Sequence, residues 1–450
     1  MTDDPRGRGV PSGRLSRLSR FGRLAGGVAG GVLAEGARRI TSGERPRMSD
    51  LLLTPANAAR VADQLAHLRG AAMKLGQMIS MDAGDILPAE LTQILARLRD
   101  NAHHMPPQQL DRVLTAEWGR DWRRRFRHFQ AHPIAAASIG QVHRAELPDG
   151  RVLAIKVQYP GVAASIDADV DNVATLLRVS GLLPRELDVA PLLGEAKRQL
   201  HEEADYAREL GMLERYRALI ADDARYVVPG VEASLSTGRV LAMDYVPGVP
   251  IEALENEAQP VRDTAARLLV SLVLRELFDW GVMQTDPNFA NYRWQAGVDG
   301  APGRLVLLDF GAARPVLPET RTGYHRLLMT GLDGNRDQLR EAAVAAGFIG
   351  RAAVERHGAV IDRMIDVILA ALHRPGPFDF GDRGFLQVVR EEARAVAEDR
   401  ATWHLPPVDT LFVQRKVSGT ALLCARLRAS VDVVPMIEAY RTAPAGAAVR

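Results

Sequence analysis

The feature that most restricts what this chain can fold into is the run Arg304-Leu305-Val306-Leu307-Leu308-Asp309-Phe310-Gly311. A short apolar stretch bounded by polar and glycine residues reads as a strand buried on both faces, and it carries a carboxylate, Asp309, to its end. Upstream, Gln284-Thr285-Asp286-Pro287-Asn288-Phe289-Ala290-Asn291 sets an aspartate and an asparagine five positions apart. Each member alone is ordinary, since Asp286-Pro287 suits a turn and Asn291 a cap. Their coincidence with a strand-borne Asp-Phe-Gly is not.

Protein kinases hold Mg²⁺ with the aspartate of such a motif, and their catalytic loop spaces its aspartate and metal-binding asparagine in the same way. On this reading Asn291 and Asp309 hold Mg²⁺, and Asp286 orients the attacking water or hydroxyl. The remaining parts of a phosphoryl-transfer site can then be sought upstream. A strand lysine is needed for the phosphates, with a carboxylate to orient it and a loop over the nucleotide. From Ile139 to Gln158 the pattern is strand, Pro148-Asp149-Gly150 turn, strand, so a hairpin is expected. Alternation puts Lys156 on one face with Val152 and Ala154, where a buried ammonium requires a partner.

The stretch His201 to Glu209 is dense in carboxylates on an expected helix, and Glu209 is the expected partner of Lys156. No glycine-rich loop precedes the hairpin. Ala135, Ala136, Ala137 and Ser138 stand there instead, and their Cβ atoms restrict the approach of backbone to phosphate. Met243 and Tyr245, at the end of an expected strand Val240–Met243, fit an inter-lobe hinge that would contact adenine. A helix is expected from about 262 to 280, closed by Gly281, and the segment 315–450 reads as mainly helical.

With 450 residues, 47% of them hydrophobic, the chain can form two lobes and an appended segment. Its 57 basic and 55 acidic residues nearly balance, so the whole chain does not read as a nucleic-acid binder. A single cysteine, Cys424, excludes an internal disulfide framework and reads as a small buried apolar side chain. Only Lys74, Lys156, Lys197 and Lys416 are lysines among those 57 bases, so each lysine invites a question.

Residues 1–50 form a basic arm. The apolar stretch Leu24–Ala34 has 11 residues, short of the roughly 20 needed to span a bilayer. Apolar residues recurring every three or four positions between arginines fit an amphipathic segment on an anionic membrane surface. Gly22, Gly26 and Gly30 leave two further readings open: close helix packing, and a flexible glycine-rich leader. A long helix over 55–80 starts at Thr54-Pro55, and its flank presents Lys74 and Gln77 together.

Taken in order, Lys74-Leu75-Gly76-Gln77, the alanine segment, Lys156, Glu203-Ala204-Asp205, the Gln284–Asn291 loop and Asp309-Phe310-Gly311 resemble the UbiB/ADCK family of atypical kinases. The branch implicated in coenzyme Q biosynthesis is the one most similar. The resemblance spans roughly residues 55–315. It implies an α+β, kinase-like two-lobed fold with a helical N-terminal extension and a mainly helical C-terminal lobe. The expected parts are a membrane-associating leader (1–50), an extension (51–130), an N-lobe (131–243) and a C-lobe (244–450).

The resemblance further implies ATP/ADP and Mg²⁺ as cofactors. Lys74 and Gln77 would act as regulatory residues meeting Glu203 and Asp205 where a protein substrate would dock. Implied partners are membrane lipids, isoprenoid quinone precursors and quinone-biosynthesis enzymes, at the cytoplasmic face of a membrane or its organelle equivalent, with a homodimer left open. The favoured activity is ATP hydrolysis supporting ubiquinone synthesis. The alternatives are a kinase for a small molecule or protein, and a nucleotide-sensing lipid-binding scaffold without turnover. Gln284 and Thr285 replace the usual histidine and arginine of the kinase loop.

Overall fold

The computed structural model describes residues 105–137, 139–179, 190–297, 301–402, 404 and 406–442. The leader, the expected helix over 55–80 with Lys74 and Gln77, and Ser138 lie outside these residues. The described residues divide into two compact units, those up to 211 with 230–245, and 212–229 with those from 246 onward.

In the first unit, α1 (Pro107–Trp118) starts on a proline, whose missing N–H costs nothing at a helix N-terminus, and buries Leu110, Val113, Leu114 and Trp118. After it come β1 (His128–Phe129), β2 (Ala135–Ala136), β3 (Gly140–Glu146) and β4 (Val152–Gln158). The expected hairpin is present: β3 and β4 pair antiparallel from Gly140↔Gln158 to Glu146↔Val152. Its turn needs Gly150 at φ 88°, a conformation that glycine adopts without steric cost. Three helices follow, α2 (Val162–Val179), α3 (Ala190–Glu203) and α4 (Tyr206–Leu219), then β5 (Tyr226–Val227), which belongs to the second unit, and β6 (Val240–Asp244). The sheet runs β1-β3-β4-β6, with β2 also on β3. Its Leu153, Ile155 and Val157 pack with Trp118, Trp122 and Phe126 in one core, each fully buried aliphatic contributing about 1.5–3 kcal/mol.

Two expectations change here. Within the alanine segment, expected as a loop, Ala135 and Ala136 are strand residues paired with Val142 and Gln141. The carboxylate-rich stretch is not one helix either, because α3 ends at Glu203 and α4 begins at Tyr206. Asp205 starts α4 by accepting hydrogen bonds from the amides of Ala207 and Arg208, both 3.1 Å, a local cap that competes with a continuous helix.

The second unit contains β7 (Val249–Pro250), α5 (Gln259–Leu274) continued by a π-helical turn (Arg275–Trp280), β8 (Val282–Gln284), β9 (Tyr292–Gln295), β10 (Arg304–Leu307) and β11 (Ala313–Pro315). Gly281, at φ 58°, ends the π turn in the left-handed conformation, as a helix C-terminus favours. One sheet is ordered β5-β10-β9-β7, and β8 pairs with β11. The expected strand stops at Leu307, two residues before Asp309. The rest is mainly helical: α6 (Pro318–Leu332), α7 (Arg336–Ala345), α8 (Arg351–Leu372), α9 (Gly384–Glu398), α10 (Val408–Arg426) and α11 (Val433–Glu438), with a small pair β12 (Phe378–Asp379) and β13 (Ser430–Val431).

Residues 212–229 join this unit although sequence order groups them with the preceding helices. The reason is packing: Tyr216 lies 4.8 Å from the Phe310 ring and 5.9 Å from Trp280, and β5 runs parallel to β10. No helix among the described residues is long and apolar enough to cross a membrane.

Candidate active site

In the first unit, Lys156 sits mid-strand in β4 and is 6% exposed. Its Nζ lies 2.8 and 2.9 Å from the two carboxylate oxygens of Glu209. The Asp205 cap explains the placement of Glu209, since it fixes where α4 starts and leaves the glutamate in the first turn, where the helix dipole favours an anion. The preceding break is tied to the sheet by Gln158, whose side-chain amide donates to the Ala204 carbonyl at 2.7 Å. Lys156 Nζ also stands 5.1 Å from the centre of the Tyr206 ring. Gly140 is required beside it: a Cβ there would fall 2.5 Å from the Val157 carbonyl oxygen and 2.7 Å from the Tyr206 hydroxyl.

Glu203 is buried and Asp205 exposed, so within one motif the first carboxylate faces protein and the second caps a helix. At the end of β6, Met243 is buried against Ala154, and the Tyr245 amide is committed to the Val152 carbonyl at 2.9 Å.

In the second unit, β9 and β10 pair from Tyr292↔Leu307 outward, and Leu308 donates its amide to the Asn291 carbonyl at 3.0 Å. That pairing brings the start of the Asp-Phe-Gly segment beside the end of the Asp286 loop. Asn291 Nδ2 donates to the Asp286 carbonyl at 3.1 Å. Asp309 Oδ1 accepts from the Gly311 amide at 3.0 Å. Phe310 is buried and anchors the segment. An amide oxygen from Asn291 and a carboxylate from Asp309 are hard oxygen donors and fit Mg²⁺, which is held by few protein ligands together with phosphates and water. Among the described residues there is no cluster of three or more His, Cys, Asp or Glu that would suggest a different metal.

Beneath these loops lies a group that sequence reasoning did not find. Gln284 accepts from the Asp286 amide at 2.7 Å and donates to the Asp309 carbonyl at 3.2 Å, so one side chain bridges both loops. The Gln284 amide donates to Glu276 Oε1 at 3.1 Å, and Tyr216 donates its hydroxyl to the same oxygen at 2.8 Å. Lys416, on α10, lies 3.0 Å from both Glu276 Oε2 and the Tyr292 hydroxyl. Burial opposes the charge on Lys416, yet Glu276 and Tyr292 together raise its pKa above the ordinary lysine value. Burial likewise pushes the Glu276 carboxyl up, against the pull of Lys416. Next to Lys416, the buried Arg415 brings Nη2 to 3.8 Å from Asp286 Oδ1. The one available signal was Lys416 itself, a lysine in a chain that uses arginine almost everywhere.

The model of the ABC1 atypical kinase-like domain matches residues 97–343. The chain is 39% identical over 431 residues to the atypical kinase coq-8, mitochondrial, of Caenorhabditis elegans, covering 94% of this chain and 56% of that protein. To the atypical kinase COQ8, mitochondrial, of Saccharomyces cerevisiae it is 35% identical over 435 residues, covering 95% of this chain and 85% of the relative. Among solved structures, the Rv3197–erythromycin complex from Mycobacterium tuberculosis superposes with a TM-score of 0.59 at 27% identity, over 86% of this chain and 96% of that one. The motif order, the kinase-like loops and these similarities agree: the chain belongs to the ABC1 (UbiB/ADCK) family of atypical kinases.

Proposed function

We propose that this protein is a membrane-associated ATPase of the atypical-kinase type that supports ubiquinone biosynthesis. The observation that carries the reading is the two-oxygen grip of Glu209 on Lys156, which supplies the strand lysine and orienting carboxylate that phosphoryl transfer requires. Lys156 is assigned to the nucleotide phosphates and Glu209 to orienting it. Asn291 and Asp309 are assigned to Mg²⁺, which when bound neutralises charge on the phosphate oxygens. Asp286 orients the attacking water, its main chain held by Gln284 and Asn291. Ala135, Ala136, Ala137 and Ser138 are assigned to the phosphate side of the nucleotide, and Met243 and Tyr245 to its base.

Lys74 and Gln77 are assigned, with Glu203 and Asp205, to restraining access by protein substrates. The leader 1–50 is assigned to peripheral attachment at an anionic membrane, where each arginine contributes about 1 kcal/mol. The relatives named COQ8 support the quinone-pathway assignment, and the substrate-side partners would be isoprenoid quinone precursors. The test is release of inorganic phosphate from MgATP by the full-length protein, with and without anionic liposomes and phenol-like quinone precursors. Stimulated phosphate release supports the reading. A phosphorylated product in place of free phosphate replaces the ATPase by a kinase, and nucleotide binding without turnover replaces it by a scaffold.

A further inference from the structure

The buried pair Lys416–Glu276 is not needed by the phosphoryl-transfer roles above, and it lies too deep to touch a substrate. The two side chains are 1% and 0% exposed. A space beside them, about 10 Å³ and lined in part by Tyr216, Glu276, Gln284, Asn291, Asp309 and Lys416, admits roughly one water molecule. Replacing such a pair by apolar residues is often neutral or stabilising, so bulk stability does not explain its presence. What it does touch is informative. Glu276 Oε1 receives the Gln284 amide, and the Gln284 side chain holds the Asp286 amide and the Asp309 carbonyl. Glu276 is presented from a π-helical turn, a local irregularity frequent at functional sites.

We propose that Lys416 and Glu276 are positioning residues for the catalytic loop, acting through Gln284 on the main chain at Asp286 and Asp309. Lys416 holds Glu276 in place; Glu276 fixes Gln284; Gln284 sets the spacing of the two loops. The lysine comes from α10, beyond the span matched by the family model, so the site depends on a helix outside that domain. The assignment of a catalytic effect rests on the ATPase reading, but the loop placement does not.

The experiment compares full-length wild type with two double variants, Lys416→Met with Glu276→Gln, and Lys416→Met with Glu276→Met. The first removes both charges of the pair and retains an acceptor for the Gln284 amide. The second removes both charges and the acceptor. Measured are the thermal midpoint, amide hydrogen exchange across 284–291 and 309–312 without nucleotide or metal, and kcat and KM for MgATP. The Met/Gln variant is expected to keep exchange and kcat within about threefold of wild type. The Met/Met variant is expected to exchange at least about tenfold faster at Asp286 and to lose on the order of 10–100-fold in kcat, with KM changed by less than about threefold. A folded Met/Met variant with wild-type exchange and kcat overturns the proposal, as does a Met/Gln variant as impaired as Met/Met. If Met/Met does not fold, Gln284→Leu decides, since it cuts the same relay without stranding a charge, and unchanged exchange and kcat would overturn the proposal. Wild type without Mg²⁺-dependent turnover refutes the ATPase reading instead, and the exchange data still decide the relay.

Discussion

Two buried lysine–glutamate pairs, one in each unit, show what burial does to the same chemistry. Lys156 meets both oxygens of Glu209, at 2.8 and 2.9 Å, and retains 8% side-chain exposure. Lys416 is sealed at 1%, and the second oxygen of Glu276 is already taken by Tyr216 and Gln284. In the first pair, on the proposed assignment, the glutamate serves the lysine by aiming its ammonium toward the nucleotide phosphates. In the second the lysine serves the glutamate, which passes its constraint to a loop. A residue's type therefore says less about its role than what saturates its partner.

The largest effect expected is that of Asp309→Asn. It removes the anionic oxygen donor at the far end of the Lys416 relay, and with it turnover, by on the order of 10²–10³-fold or more. Phosphate release against Mg²⁺ concentration checks this, with the thermal midpoint as control for folding. Because Asp309 is where the relay ends, its loss sets the ceiling for anything the second pair can do. Wild-type turnover in Asp309→Asn would remove the metal from the assignment altogether.

Next is Lys156→Met, which strands Glu209 as a buried anion and should cost about 3–5 kcal/mol. Adding Glu209→Gln should recover most of that stability without recovering nucleotide binding, read by calorimetric titration of MgATP. This is the contrast between the pairs in its plainest form. In the first, neutralising both partners restores the fold and not the function. In the second, a neutral acceptor at Glu276 should restore both.

The first pair was legible in the sequence and the second was not, for physical reasons. Lys156 sits in an alternating strand where an ammonium conflicts with its apolar neighbours, so a partner is demanded, and Glu209 lies in a dense run of carboxylates 53 positions downstream. Glu276 and Lys416 each lie on helices, where charged residues normally face water, and 140 positions separate them. No periodicity links them. In the sequence Gln284 stands out only as a departure from the usual histidine, because its bridging of two loops depends on the β8–β11 and β9–β10 pairings together. The helix break at Ala204-Asp205 was missed since the helical pattern on either side outweighs one capping aspartate.

A smaller effect is expected from Gly140→Ala, beside the first pair. The added Cβ would meet the Val157 carbonyl oxygen at 2.5 Å, and rigid sheet backbone can yield little. Overpacking of this kind costs about 1–3 kcal/mol, read as a lowered thermal midpoint. Because the Tyr206 hydroxyl, at 2.7 Å, is the other obstacle, its ring should shift against Lys156 and weaken nucleotide binding in parallel. An unchanged midpoint with weaker binding would show that Tyr206 moves and the sheet does not.

The smallest effect belongs to a pair near the surface, and it isolates burial as the variable in the comparison. Asp399 accepts from Arg356 Nε at 2.7 Å and from His357 Nε2 at 3.0 Å, at the point where α8 departs from helical geometry with His357 at φ −130° and ψ 26°. The Arg356 hydrogen bond first, and then that of His357, lower the Asp399 carboxyl to about 2. A carboxylate whose folded pKa lies below its unfolded value, about 4, stabilises the fold above that unfolded value and loses the contribution as pH falls through the folded one. Asp399→Asn should therefore lower the thermal midpoint slightly at pH 5, and the difference from wild type should close between pH 4 and pH 2. Water screens this carboxylate, so the shift should stay below that of Gly140→Ala. A midpoint difference that persists unchanged down to pH 2 would mean that Asp399 holds the α8 kink by hydrogen bonding alone, without help from its charge.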